Sequence, residues 1–226
     1  MAKRYDIGVD RFQAASFLEA VRTKRDVIVL WMNAIKAFLI NQPAEGDQLE
    51  ATLSIVVVKM SRLFCELKGG QKIFSIAFPF TVRYEEAAFS FHSREGVLID
   101  SRVSSQILAL IEGGGILNAA DFSEFIDPII EASDIDPKLW TLLRELMLSE
   151  DAYIRYDRDS ERANGHLHPE HHLDLYYSAG GSFKIGLEGS INQETLIGIL
   201  NLEADCHYLQ PATAFAPAPP RGRQPR

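Results

Sequence analysis

Cysteine is scarce in this chain of 226 residues: Cys65 and Cys206 are the only two, far apart and without a Cys-x-x-Cys spacing. Two distant thiols make no disulfide framework and fit a reducing, cytosolic setting. Long apolar runs are missing as well. The most apolar stretch, "VIVLWMNAIKAFLI" at 27–40, is fourteen residues with Lys36 inside it, against the roughly 20 that a bilayer span needs. The start, "MAKRYDIGVD", has no apolar centre and no small-residue cleavage site, so it reads as no secretory signal. Positive charge is in deficit, with 23 Lys and Arg against 31 Asp and Glu and a formal net charge of −8. Three of the arginines fall in residues 211–226, which hold no acid, so the body is more acidic than the whole chain. Such a body repels a phosphate backbone at long range, which argues against non-specific nucleic-acid binding while leaving room for a small basic patch on a nucleic-acid end. There is no phosphate loop either: Gly113-Gly114-Gly115 follows a helical pattern and lacks a subsequent Lys-Ser/Thr, so it reads as a helix end and linker.

Alternating blocks of pattern are present, with no internal repeat. Phe12, Phe17, Leu18 and Val21 form a helical stripe opened by Asp10 and Gln13 as a capping box. A second stripe, Ile28, Trp31, Met32, Ile35, Phe38 and Leu39, has Asp26 as its expected cap, and whether 11–41 is one helix or two is open. From Leu49 to His92 the period shortens. "RLFCEL-KGGQ-KIFSIAF" reads as a hairpin turning on paired glycines, Pro79 confines its second strand to an edge or an end, and "AAFSFH" gives a further strand, while 49–63 fits strand or helix. Helices are expected over Ser101–Glu112 and after Asp127-Pro128 and Asp136-Pro137, each pair offering a capping acid and a proline at the first helical position. Strand "AYIRYD", a polar loop, a hairpin and a helix over about 191–203, with Ser190 and Gln193 as its capping box, complete the structured part. The pattern indicates an α+β fold with N-terminal helices, antiparallel hairpins, central helices and a C-terminal hairpin plus helix. It spans one domain over 1–210, with a possible division near 113–118, and the proline-rich 211–226 reads as a disordered tail.

Four of the six histidines lie in "HLHPEHHLDLYYS", residues 166–178. Strand alternation sorts the second half of this segment: Leu173, Leu175 and Tyr177 share one face, His172, Asp174 and Tyr176 the other. In "FKIGL" the apolar set is Phe183, Ile185 and Leu187. Joining the two apolar faces requires matched parity, which Tyr177 opposite Ile185 and a three-residue loop at 180–182 satisfy, with Gly180 or Gly181 at positive φ. If "AYIRYD" lies beside this hairpin, one face gathers Arg155, Asp157, His172, Asp174 and Lys184. Two carboxylates, a His, a Lys and an Arg on rigid strands are candidate catalytic residues for hydrolysis: the carboxylates can hold a divalent cation while lysine steers a phosphate. A solvated sheet face would hold the same residue types as cross-strand ion pairs. The Asp/Glu-x-Lys element of a common nuclease fold is missing, because Ser182 stands where its acid would be. For a metal, the sequence candidates are His166 and His168, two apart and able to point the same way in an extended loop. No cofactor is specified.

The run "IRYDRD" followed by "HPEHHLDLYYS" resembles the signature Arg-[Tyr/Phe]-Asp-x-Asp … His-Pro-x-x-His-Leu of a family of bacterial proteins of unknown function. The matching positions are Arg155, Tyr156, Asp157, Asp159, His168, Pro169, His172 and Leu173, within about 152–203. The resemblance implies a cytosolic accessory protein, sometimes encoded near phage-defence genes. Three functions fit these observations. The first is a non-catalytic component or regulator that binds a protein partner. The second is a metal- or acid/base-dependent hydrolase of a phosphodiester, and the third is a small-ligand sensor using the same polar face. Convergence of the five residues in a concave pocket favours chemistry, and dispersal over an open sheet counts against it. The sequence leaves the oligomeric state open.

Overall fold

The computed structural model describes residues 3–19, 21–59, 61–113, 116–118, 122–165, 167–177 and 181–203. His166, Gly114, Gly115, Gly180, Cys206 and the tail at 211–226 lie outside the described residues. The fold is α+β, and no helix among the described residues is long and apolar enough to cross a membrane.

Seven strands form the main sheet: β1 (Lys3–Val9), β2 (Ala51–Val57), β3 (Ser61–Leu67), β4 (Lys72–Ala77), β7 (Ile154–Arg158), β8 (His171–Tyr177) and β9 (Gly181–Leu187). They lie side by side in that order, every neighbour antiparallel. Between β4 and β7 the chain leaves the sheet to make the separate hairpin β5 (Thr81–Glu85) and β6 (Ala88–His92), and then helices. The expected hairpin of β3 and β4 is present, its turn using positive φ at Gly69 and Gly70, and β4 ends two residues before Pro79. The open stretch 49–63 resolves into strands on either side of Lys59. β1 was not anticipated. Its Ile7 and Val9 are buried, and Gly8 lies so close to the 41–50 segment that a Cβ there would stand 2.2 Å from the Ala44 carbonyl oxygen.

The helical stripe at 11–41 divides into α1 (Arg11–Leu18) and α2 (Lys24–Ile40). Asp10 and Gln13 form the expected capping box, but Asp26 does not cap α2. Thr23 does, receiving the Asp26 N–H at 3.2 Å, while the Asp26 carboxylate accepts from the Arg22 and Thr23 N–H groups at 2.9 Å. α3 (Ser101–Leu108), capped by Asp100, runs on as a wider turn to Gly113. α4 (Phe122–Ile135) begins a turn and a half before the expected start, leaving Pro128 inside it. One proline removes one helical donor, and the inward stripe of Phe125, Ile129 and Ala132 holds the helix across that position. α5 (Lys138–Leu148) follows Asp136-Pro137, with the Asp136 carboxylate accepting the Lys138 N–H at 3.1 Å. α6 (Gln193–Leu200) is capped by Asn192, which accepts the Thr195 N–H at 2.9 Å, in place of the expected Ser190 and Gln193.

Two apolar layers result. On one face Leu53, Ile55, Leu63, Cys65, Phe74 and Ile76 pack with α2, the most buried helix, and with residues of α1, α3, α4 and α5. Trp31 of α2 is fully buried and donates its indole N–H to the Ala77 carbonyl at 2.7 Å. The opposite face is a smaller layer of Val56, Phe64, Ile73, Ile154, Tyr156 and Leu173, closed by Leu196 of α6. Tyr153, just before β7, is the last buried apolar side chain on the helix-covered face, its ring 5.6 Å from that of Phe74. Beyond it the same face turns charged.

Candidate functional site

Two strand registers assemble the charged patch. β7 pairs with β8 so that Arg155 faces Asp174 and Asp157 faces His172, and β8 pairs with β9 so that Asp174 faces Lys184 and His172 faces Gly186. All five sequence candidates therefore meet on one face. The expected parity holds, but every partner is displaced by four residues, two pleat repeats. Ile185 faces Leu173, Tyr177 faces Gly181, and the three residues left between the strands are 178–180, not 180–182. Parity cannot separate registers that differ by an even number of residues. The observed one sets Asp174 against Lys184 and Leu175 against Phe183, opposite charge and apolar pairs that stabilise adjacent strands.

The bonding is dense. Arg155 Nε donates to Asp157 Oδ2 and Arg155 Nη2 to Asp174 Oδ2, both at 2.7 Å. Lys184 Nζ donates to Asp174 Oδ1 at 2.7 Å and lies 2.8 Å from His172 Nε2. His172 Nδ1 is 2.8 Å from the Pro169 carbonyl oxygen. A carbonyl only accepts, so Nδ1 carries the proton and Nε2 offers its lone pair to the lysine. His172 is 1% exposed and Asp174 8%. Burial disfavours charge on Arg155, but Asp157, Tyr153 and Asp174 outweigh it and raise its pKa. Burial pushes the Tyr153 phenol up to about 12, so it stays neutral beside them.

The loop between β7 and β8 covers this network. It is bonded to itself: the Asp159 N–H reaches the Glu170 carbonyl and the Asn164 N–H the His168 carbonyl, each at 2.8 Å. Pro169 rests on Gly186, where a Cβ would meet the proline ring at 2.8 Å, and the ring of His168 stands edge-on to that of His172 at 4.9 Å. His168 Nε2 is 3.2 Å from Asp159 Oδ2. The backbone N–H of Arg162, together with His168, holds the Asp159 carboxyl below its ordinary range. Of the two sequence candidates for metal, His168 thus pairs with a carboxylate and His166 lies outside the described residues. Instead, among the described residues, Asp157, His172 and Asp174 offer donor atoms within 4.8 Å of one another.

Arg155, Asp157, His172 and Lys184 line an open cavity of about 500 Å³. Of its fourteen lining residues six are Lys or Arg, four are Asp or Glu, and Leu67 alone is aliphatic. That excess of cations reverses the balance of the chain. Among the described residues, the side chains of Lys68, Lys72 and Arg162 at this cavity enter no ion pair. Sequence reasoning missed all three. Lys72 arrives because β4 lies beside β7, with Lys72 opposite Asp157, a pairing between strands separated by the entire hairpin and helical excursion.

No family model, curated protein or solved structure matches this chain. The functional reading therefore rests on the geometry alone.

Proposed function

We propose that this protein binds a phosphate-bearing ligand of nucleotide size in the cavity beside β7, and that binding, not turnover, is its function. The observation that carries the reading is the local reversal of charge, six cationic against four acidic lining residues in a chain with net charge −8. Cations in a concave site focus potential on an anion, and about 500 Å³ falls within the ordinary range of small-ligand sites. Lys72 and Arg162 are the residues that meet the phosphate, because among the described residues neither side chain is held in an ion pair. Arg162 can bind phosphate oxygens as a fork and Lys72 as a point charge.

Binding is favoured over acid/base catalysis by the state of His172. Both its ring nitrogens are engaged, one by Pro169 and one by Lys184, and the ring is buried. A general base needs a free lone pair within hydrogen-bond reach of substrate. The five-residue network serves as the rigid floor of the site. The sequence alone put a protein partner first; the cavity supports a small phosphorylated ligand instead.

Titration calorimetry of the full chain with adenosine, AMP, ATP, inorganic phosphate and a 5′-phosphorylated oligonucleotide tests this reading. Mononucleotides are expected to bind with an affinity that falls as salt rises, adenosine is expected not to bind, and Lys72→Ala/Arg162→Ala is expected to weaken binding by about tenfold or more. Equal binding of adenosine and AMP, or no effect of the double variant, overturns it.

A further inference from the structure

We infer that Asp157, His172 and Asp174 form a divalent-cation site whose resident ion is the ammonium of Lys184. The donor chemistry is mixed, one imidazole and two carboxylates, all on neighbouring strands and converging within 4.8 Å. Three features of the surroundings point to a cation at this spot. The first is the tautomer: with Nδ1–H committed to the Pro169 carbonyl, Nε2 presents a lone pair inward, the orientation a metal-bound histidine requires. The second is Arg155, which fixes both carboxylates through their Oδ2 atoms and leaves Asp174 Oδ1 directed at the centre. The third is that a cation already sits there. Lys184 Nζ touches Nε2 at 2.8 Å and Asp174 Oδ1 at 2.7 Å.

The spacing follows from that occupant. His172 Nε2 stands 3.9 Å from Asp174 Oδ1, a separation suited to contacts of hydrogen-bond length around the ammonium that touches both, and 3.9 Å from Asp157 Oδ2, which Arg155 holds beside them. A divalent ion bonds nitrogen and carboxylate oxygen at about 2.0–2.2 Å, so exchange draws the donors inward by a few tenths of an ångström each. Lys184 is the most exposed of the network, its side chain 35% accessible, and can swing out on its four-carbon stem. One imidazole with two carboxylates and room for water suits Mn²⁺ or Zn²⁺ over softer ions. A metal bound there would expose a divalent charge and the freed lysine to the same cavity. The cation site stands on geometry alone; its use in holding a phosphorylated ligand rests on the reading above.

The test titrates chelator-treated full chain with MnCl₂ and ZnCl₂ in phosphate-free buffer, for wild type, Lys184→Met and Asp157→Asn/Asp174→Asn. Wild type is expected to take one equivalent of at least one of the two ions. Lys184→Met is expected to bind about tenfold more tightly, since an internal competitor present most of the time lowers apparent affinity by its occupancy. The double Asn variant is expected to lose binding. Because Lys184→Met reads a gain, misfolding cannot imitate it, and a thermal melt of each variant verifies folding. The inference is overturned if wild type takes up neither ion at millimolar concentration, if Lys184→Met binds no more tightly, or if a folded double Asn variant still binds. Nucleotides are absent throughout, so this result is separate from the fate of the phosphate reading.

Discussion

Beneath α2 the inner face of the sheet consists of Leu53, Ile55, Leu63, Cys65, Phe74 and Ile76; three strands further along, the same face consists of Arg155, Asp157, His172, Asp174 and Lys184. Both ends are well ordered by their neighbours, but by different forces. The helix-covered end gains from removing apolar surface from water, about 25 cal/mol for each Å². The charged end gains little net stability from its ion pairs, because taking charges out of water costs about what their attraction returns. A sheet needing only stability would extend its apolar face to β9 and cover it with a helix, as α6 does on the opposite side. On the proposed reading, the five ionisable groups on three adjacent strands are retained for a ligand.

The two ends should respond differently to mutation. The largest effect is expected at the covered end. Trp31→Ala removes a fully buried indole and its bond to Ala77 and should cost about 3–5 kcal/mol, read by urea unfolding, while leaving no buried charge unpaired. At the charged end, Gly186→Ala places a methyl group against the ring of Pro169. This should cost about 1–2 kcal/mol, and it should shift the His172 imidazole resonances in NMR, because the Pro169 carbonyl that fixes the tautomer must move. The smallest effect lies in the covering loop. The Asp159 carboxyl titrates below its unfolded value, so its contribution is present above the ordinary carboxylate range and is lost as pH falls through the depressed folded value. Asp159→Asn should accordingly lower the melting temperature slightly near neutrality and leave it unchanged at the acid end, which flattens the acid limb of the melting profile.

The sequence disclosed these ends unequally. Alternation in "HHLDLYY" and "FKIGL", with the parity rule, was enough to place His172, Asp174 and Lys184 on one side, and the same rule applied to "AYIRYD" added Arg155 and Asp157. The signal is local, a period of two on strands joined by short links. Lys72 and Arg162 carried none. Lys72 reaches the site through the pairing of β4 with β7, and nothing in a strand's own pattern names a partner some eighty residues away. Arg162 sits in a polar loop whose path is set by hydrogen bonds within it, not by periodicity. β1 was hidden for a related reason: an edge strand with Lys3, Arg4 and Asp6 on it looks like the polar approach to a helix. The caps at Thr23 and Asn192 show the remaining weakness. Several adjacent residues could accept the first helical N–H groups, and the fold selects one of them.

Replacing the charged pair at the centre of the network tests the contrast most directly. Asp174→Leu/Lys184→Met substitutes apolar side chains of similar size for a bonded pair of one buried carboxylate and one partly exposed ammonium, so folding stability should be unchanged or slightly higher, while mononucleotide binding falls about tenfold or more. Opposite movement of stability and binding is what a face kept for a ligand requires. If the variant instead loses stability and binds AMP as the wild type does, the charged end is a structural clamp and the account is wrong.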